Sequence, residues 1–146
     1  IRDSCEAGRF GQKTGKGWYR YEPSNRKPLP DPEADAIIAT YRKEIGLTPR
    51  AISDEEIVER LVYALANEGA KILEDGIALR ASDIDITYLM GYGFPSYRGG
   101  PMFWADAQGL DRVLARIETF AKGYRGEHWK PAALLKKLAA ENKKFN

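Results

Sequence analysis

Apolar residues recur every three or four positions along most of the chain, which is the spacing of one face of an α-helix. The clearest case is a helix predicted over residues 54–75, where Ser53 and Glu56 form a capping-box pattern and Gly76 supplies the stop. Its apolar face is predicted to comprise Ile57, Leu61, Leu65, Gly69 and Ile72. Small residues in the same segment would allow another helix to approach closely: Ala64, Ala66, Gly69 and Ala70.

The same spacing predicts further helices on both sides of this segment. One runs from Pro32 to Gly46 with Asp31 as N-cap, and a short one ends near Met90 with Ser82 and Asp85 as its capping pattern. Another helix is predicted over residues 101–108. A further one covers residues 111–122, with its inward face formed by Val113, Leu114, Ile117 and Phe120. The last helix begins at Pro131, with its inward face formed by Leu134, Leu135 and Leu138. We therefore predict an all-α fold preceded by a short irregular or extended segment.

The N-terminal segment has a different pattern. Its glycines favour turns, and Trp18–Tyr21 is strand-like. Lys13, Thr14 and Lys16 resemble part of a phosphate-binding loop, but the glycine spacing is wrong and no helix follows, so a P-loop is rejected. A solvated basic turn is the simpler interpretation, with a weak anion contact from Lys13 or Lys16 left open. Four prolines between Pro23 and Pro32 predict an extended connection and a domain boundary.

The run from Asp83 to Asp111 combines glycine, proline and aromatic residues in an unusual density. Aromatic side chains bury roughly 150–250 Å² each, so the run is predicted to be either a packed structural element or a docking surface. The aromatic residues in question are Tyr88, Tyr92, Phe94, Tyr97, Phe103 and Trp104.

Composition narrows the class of protein. The chain has 146 residues, 43% of them apolar, with 23 basic and 21 acidic residues interspersed, so nothing favours nucleic acid as a partner. No apolar run approaches the ~20 residues that span a bilayer. The single cysteine, Cys5, fits a reducing compartment. We expect a cytoplasmic protein and, because the chain begins with Ile1, a piece of a longer one.

Candidate catalytic and metal-binding residues are sparse. His128 is the single histidine, so Cys5 and His128 together supply too few ligands for a metal site, and nothing supports them as a nucleophilic pair. Asp83 and Asp85 lie at a predicted helix N-terminus, where carboxylates interact favourably with the helix dipole, so a structural role is sufficient for them. Asn67 and Glu68 lie mid-helix, where a satisfied polar contact or exposure to solvent is the simpler explanation. From these residues we assign no catalytic, cofactor-binding or metal-binding residue, and the substrate-binding residues stay unknown.

Two motifs resemble a known family. GRFGQKTGKGWYRY resembles the segment that closes the C-terminal helical domain of 3-hydroxyacyl-CoA dehydrogenases. The series NEG, DID, GYGFP, GGP and GLD, from Asn67 to Asp111, resembles a second copy of that domain. This order is similar to the end of multifunctional fatty-acid oxidation proteins, in which an enoyl-CoA hydratase is joined to the dehydrogenase.

The resemblance implies a division of labour between domains. An N-terminal Rossmann domain would hold NAD and a catalytic His–Glu pair, while helical domains would complete the acyl-CoA cleft. In the active helical copy an Asn assists the catalytic His, and alignment through Glu68 places Glu59 at that position, followed by the family's Arg60-Leu61. A carboxylate lacks the donor of a neutral amide, so the resemblance implies a copy that keeps the fold and has lost the chemistry.

The resemblance thus gives a set of expectations. Residues 1–30 would be the tail of a preceding helical copy with a linker, and residues 31–146 would be a second C-terminal helical dehydrogenase domain. The parent would be an NAD-dependent dehydrogenase acting on acyl-CoA. This chain would bind no NAD, pack on the preceding helical copy, be inactive alone, and self-associate when isolated. A stand-alone helical interaction module is the alternative, and CoA phosphates bound by Lys13, Lys16 and Arg20 are a further hypothesis.

Overall fold

The computed structural model describes residues 5–146, which form two compact units that meet in sequence after Ala51. The first unit ends at Ala51 and the second is Ile52–Asn146. The helix that begins at Pro32 groups with the first unit, whereas the predicted division fell after residue 30. Its first turn is tied to that unit by the buried Arg9, which forms ion pairs with Asp31 and Glu33.

The first unit contains a small hairpin followed by a helix. A 3₁₀ turn, Gln12–Thr14, precedes strands β1 (Arg20–Glu22) and β2 (Asn25–Leu29), which pair antiparallel, and helix α1 (Pro32–Glu44) follows. The predicted proline-rich connection is therefore largely a strand. Pro28 is tolerated because the sheet formed by the described residues has two strands, each with a free edge.

Polar contacts hold this unit together more than apolar burial does. The Arg9 guanidinium donates to the Gly17 carbonyl at 2.8 and 3.1 Å, and to Glu33 at 2.8 Å. Asp31 accepts the Glu33 backbone N–H at 3.1 Å, which confirms it as the N-cap of α1. Among the described residues of the unit, Ala34 is the one apolar side chain classed as buried.

The second unit is a bundle of five helices. They are α2 (Asp54–Glu74), α3 (Ala81–Gly91), α4 (Pro101–Gln108), α5 (Leu110–Ala121) and α6 (Ala133–Ala140), with 3₁₀ turns at Ser96–Arg98 and Gly126–Trp129. The prediction of an all-α fold after a short extended segment is confirmed. No helix among residues 5–146 is long and apolar enough to cross a membrane.

Two helix starts differ from the sequence prediction. The N-cap of α3 is Arg80, not Ser82, because the Asp83 carboxylate accepts the Arg80 backbone N–H at 3.1 Å and also binds its guanidinium. Helix α6 begins at Ala133, after Pro131. The cap of α2 is as predicted, since Ser53 Oγ accepts the Glu56 N–H at 3.2 Å.

The core lies where α2 packs against α4, α5 and α6. The inward faces predicted for α5 and α6 are confirmed: Val113, Ile117, Phe120 and Leu135 are buried, and Leu114, Leu134 and Leu138 pack against them. Gly69 permits the close approach predicted for α2, because a Cβ there would lie 2.4 Å from the Met102 Sδ of α4.

The predicted apolar face of α2 is wrong at its N-terminal half. Ile57 and Leu61 are 46% and 65% exposed. The buried face instead carries two polar residues among small and aromatic ones: Glu59, Tyr63, Ala66, Asn67, Gly69 and Ala70. Tertiary partners cause this, since arginines of α5 neutralise Glu59 and the chain after Trp129 hydrogen-bonds Asn67. Ala64, counted among the small contact residues, is exposed.

Candidate functional site

Glu59 is the residue where the sequence places the lost catalytic amide, and its side chain is buried between two arginines. Its Oε1 lies 3.2 Å from Arg112 Nη2, and its Oε2 accepts from Arg116 Nε at 2.6 Å. Arg112 also binds Glu55 at 2.7 Å. Both carboxylate oxygens are therefore engaged by charged donors, which fix the orientation of the side chain.

This geometry suits a structural role for Glu59. A carboxylate held by two guanidinium groups offers no N–H to a neighbouring group, whereas an amide at the same place would both donate and accept. The ion-pair cluster of Glu55, Glu59, Arg112 and Arg116 also joins the start of α2 to α5. Its chemistry is that of a clamp between helices.

Tyr63 lies one turn further along the same face of α2. Its ring stacks at 5.4 Å, centroid to centroid, on Trp104 of α4, and its buried hydroxyl has no hydrogen-bond partner among residues 5–146. Burial raises the pKa of this phenol, and the negative charge of Glu59 adds to the shift. A shallow cleft of about 270 Å³ lies beside these residues, with Arg98 and Arg112 on its wall.

Asp85 organises the other end of the second unit. It is buried and accepts the backbone N–H groups of Met102 at 2.7 Å and Phe103 at 3.1 Å, so it caps α4. The predicted role at the start of its own helix is therefore wrong for Asp85. Burial raises the pKa of this carboxyl although both hydrogen bonds favour its ionised form.

Gly100 is required at the start of α4. Its φ is +104°, and a Cβ there would lie 2.4 Å from Asp85 Oδ1. A side chain would therefore both strain the backbone and displace the capping carboxylate.

The Asp83–Asp111 run presents much of its apolar surface to solvent. Met90 and Tyr97 are 83% and 82% exposed, and only Trp104 among its aromatic residues is classed as buried. We call the exposed set the aromatic loop face: Ile86, Met90, Tyr92, Tyr97 and Phe103. Of the two interpretations from sequence, a docking surface fits the exposure of these side chains better than a fully packed element.

The remaining sequence candidates divide between the two units. Cys5 is exposed in the first unit, and His128 is exposed in the second, beside Glu127 at 3.5 Å. Asn67 is a satisfied structural contact, donating to Lys130 O at 3.0 Å and accepting from Ala132 N at 2.9 Å. Glu68 is exposed and binds Lys71. Residues 5–146 hold no group of three or more potential metal ligands.

The partners of the Glu59 and Asp106 carboxylates were not predicted from the sequence. Arg112 and Arg116 stand four residues apart on α5, as Glu55 and Glu59 do on α2. That matched spacing is the signal that could have paired the two helices, since residues four apart share a helix face. Asp106, which accepts the backbone N–H groups of Phe145 and Asn146 at 2.8 and 3.0 Å, carries no such signal.

The second unit is thus a helical bundle whose buried carboxylates join its helices, and comparison with known proteins shows the family to which it belongs. The chain belongs to the family described as 3-hydroxyacyl-CoA dehydrogenase, C-terminal domain, which it matches over residues 57–145. The resemblance seen in the sequence is thereby confirmed.

Similar proteins are multifunctional. The chain is 52% identical over 138 residues to a peroxisomal bifunctional enzyme of Danio rerio, covering 93% of the chain. It is 46% identical over 142 residues to the human peroxisomal bifunctional enzyme, covering 94% of the chain. A peroxisomal fatty acid beta-oxidation multifunctional protein of Arabidopsis thaliana is 38% identical over 138 residues, covering 92% of the chain. In each case the match spans 19% of the relative's length.

Proposed function

We propose that this chain is the C-terminal helical part of an NAD-dependent 3-hydroxyacyl-CoA dehydrogenase within a multifunctional enzyme of fatty-acid β-oxidation. The longer protein would oxidise the 3-hydroxyl of an acyl-CoA by transferring a hydride to NAD. Support comes from the family match over residues 57–145 and from relatives named as bifunctional or β-oxidation multifunctional proteins. NAD would be held by a Rossmann domain elsewhere in that protein, and this chain would bind none.

The role proposed for this part is structural. The single observation that carries it is the buried Glu59 with both oxygens bound by Arg112 and Arg116. Such a cluster stabilises the packing of α2 on α5 and leaves no free amide to assist a catalytic histidine. The aromatic loop face would supply contacts to the preceding helical copy.

The proposed domain organisation assigns residues 1–30 to the tail and linker of a preceding helical copy and residues 31–146 to a second helical domain. Among described residues 5–30 no apolar side chain is classed as buried, which supports this assignment because such a segment gains stability from further surface to pack on. The family match lies wholly within residues 31–146.

We further propose a peroxisomal location. The sequence alone favoured the cytoplasm, since a lone cysteine fits any reducing compartment. The names of the relatives are peroxisomal or glyoxysomal, and this is what supports the refinement. Co-fractionation of the longer protein with a peroxisomal marker tests it, and recovery in the cytosolic fraction alone would refute it.

The test of the proposed activity compares two proteins. The longer protein is expected to reduce NAD in the presence of a 3-hydroxyacyl-CoA, and the 146-residue chain is expected to produce no NADH at the same molar concentration. A longer protein that lacks a nucleotide-binding segment and forms no NADH would instead favour the stand-alone interaction module. NADH formation by the chain alone would contradict the structural role.

A further inference from the structure

The first unit carries a cationic cleft beside exposed aromatic residues. The cleft has a volume of about 630 Å³, and its wall includes Lys13, Tyr21, Asn25 and Arg26. Neither Lys13 nor Arg26 has a carboxylate within ion-pair distance among the described residues. Glu22, on the same wall, is the single acidic residue lining the cleft, so the cleft carries a net positive charge.

The structure changes the choice of cations made from sequence. Lys16 lies 3.1 Å from Glu33, and Arg20 donates to the Pro30 carbonyl at 3.3 Å with Glu22 4.0 Å away. These two side chains already have partners. Lys13 and Arg26 are therefore the cations that could bind an added anion without breaking an existing ion pair.

A second hollow, of about 610 Å³, adjoins the first through two shared residues, Lys13 and Tyr21. Its wall includes Phe10, Trp18 and Tyr19, each about half exposed. Exposed aromatic rings beside unpaired cations suit a ligand with a flat ring and phosphates, because the ring stacks while the phosphates bind the cations.

We infer that the first unit binds a phosphate-bearing nucleotide, with the phosphates at Lys13 and Arg26 and the purine ring against Trp18 or Tyr19. The 3′-phospho-ADP part of coenzyme A has this chemistry, and so does free ADP. The choice of coenzyme A as a ligand rests on the proposed function. The site itself rests on the cleft, on two cations that have no carboxylate partner among the described residues, and on the adjoining rings, of which the Phe10 ring centroid already lies 5.4 Å from Lys13 Nζ.

Calorimetric titration of the 146-residue chain with coenzyme A, ADP, pantetheine and inorganic phosphate tests the inference. We expect coenzyme A and ADP to bind, and pantetheine and inorganic phosphate to bind at least about tenfold more weakly, because each lacks either the phosphates or the ring. Binding of inorganic phosphate as tightly as ADP would overturn nucleotide recognition. No binding of either nucleotide at millimolar concentration would overturn the site.

Two variants locate the site. Lys13→Ala/Arg26→Ala is expected to weaken ADP binding by about tenfold, the effect of losing two exposed ion pairs. Lys136→Ala/Lys137→Ala on α6 makes the same change in net charge and is expected to leave binding unchanged. Equal weakening by both pairs would overturn the assignment. Trp18→Leu/Tyr19→Leu should weaken ADP binding and leave phosphate binding unaffected, and unchanged ADP binding would overturn the placing of the ring; circular dichroism confirms that each variant is folded.

Measuring ADP binding by the chain and NADH formation by the longer protein tests the binding site and the proposed dehydrogenase function separately. A longer protein without NADH formation would refute the proposed function while ADP binding to the chain still stood. Conversely, an active dehydrogenase whose C-terminal chain binds no nucleotide would refute the inference alone.

Discussion

At the residue scale, the second unit depends on carboxylates that are buried with specific partners. Glu59 binds arginines of α5, Asp85 caps α4, and Asp106 binds the backbone of Phe145 and Asn146. Buried charges are costly unless they are paired or hydrogen-bonded, so each of these residues fixes the position of a neighbouring segment. Their chemistry is positional, and substitution should be measured first as a loss of stability.

Glu59→Gln should destabilise the second unit by about 1–3 kcal/mol, because the neutral amide leaves Arg116 and Arg112 with a weaker partner in a buried site. Glu55→Gln is a matched control, since it changes the same group facing Arg112 but at an exposed position. The control should cost about 0–1 kcal/mol. Urea unfolding gives both values, and equal losses would show that burial of Glu59 is unimportant.

Gly100→Ala should destabilise the chain by roughly 2–5 kcal/mol, combining backbone strain with displacement of the Asp85 carboxylate. Gly93→Ala provides the comparison, because Gly93 also has a positive φ, +68°, but open space where a Cβ would lie. It should cost about 1 kcal/mol. Thermal unfolding of the two variants measures the difference, and a Gly100 variant no less stable than the Gly93 variant would contradict the capping geometry.

At the element scale, the sequence predicted the positions of the helices correctly. It predicted the faces that these helices bury only in part. The stop and cap signals around α1, α2 and α4 are local, so Asp31, Ser53 and Pro101 predicted their starts correctly. The buried face of α2 depends on α5 instead. Local periodicity predicted that Ile57 and Leu61 are buried. The face that carries Glu59 is buried instead, because Glu59 forms ion pairs with arginines of α5, and no pattern within α2 alone indicates those partners.

The hairpin shows the same limit. Four prolines between Pro23 and Pro32 favoured an extended connection, and the extended backbone was predicted correctly. Its pairing with β1 depends on Arg20 facing Leu29 and Glu22 facing Asn25, which are contacts across a turn that carries no strong hairpin motif. Asp85 was assigned to its own helix for a similar reason, since its partners lie at Met102 and Phe103.

The cap of α1 should make the stability of the first unit depend on acid. The Arg9 hydrogen bond lowers the pKa of Asp31 below its ordinary value of 3.8. The folded state therefore favours the ionised carboxyl, so this contribution is fully present above that ordinary value and is lost as pH falls through the lowered pKa. Asp31→Asn should lower stability at neutral pH and make the acid loss smaller.

Circular dichroism between neutral and acidic pH measures this effect. Asp35→Asn serves as the control, because Asp35 is an exposed acidic residue in the first turn of the same helix. An acid profile for Asp31→Asn that is parallel to the unsubstituted profile would refute the role assigned to Arg9 and Asp31.

At the scale of the whole molecule, the exposed apolar surface is the feature that decides how an isolated chain behaves in solution. The aromatic loop face presents Met90 and Tyr97 almost fully to solvent. In the proposed longer protein the preceding helical copy would cover this surface. Without that cover, association between chains is the expected consequence.

The isolated chain should therefore self-associate in a concentration-dependent way, and Met90→Glu/Tyr97→Glu should shift it toward monomer. Ala115→Glu/Ala133→Glu makes the same charge change at exposed positions on α5 and α6 and should leave association unchanged. Sedimentation velocity over a range of concentrations measures both. Association that is unaffected by the loop substitutions would place the contact elsewhere.

Glu59 is proposed to join two helices of this domain and to take no part in catalysis. The most direct measurement is kcat for NAD reduction by the longer protein carrying Glu59→Gln, taken well below its unfolding temperature and alongside its Tm. We expect a lower Tm with kcat within about twofold of the unsubstituted enzyme. An unchanged Tm with kcat reduced tenfold or more would contradict it.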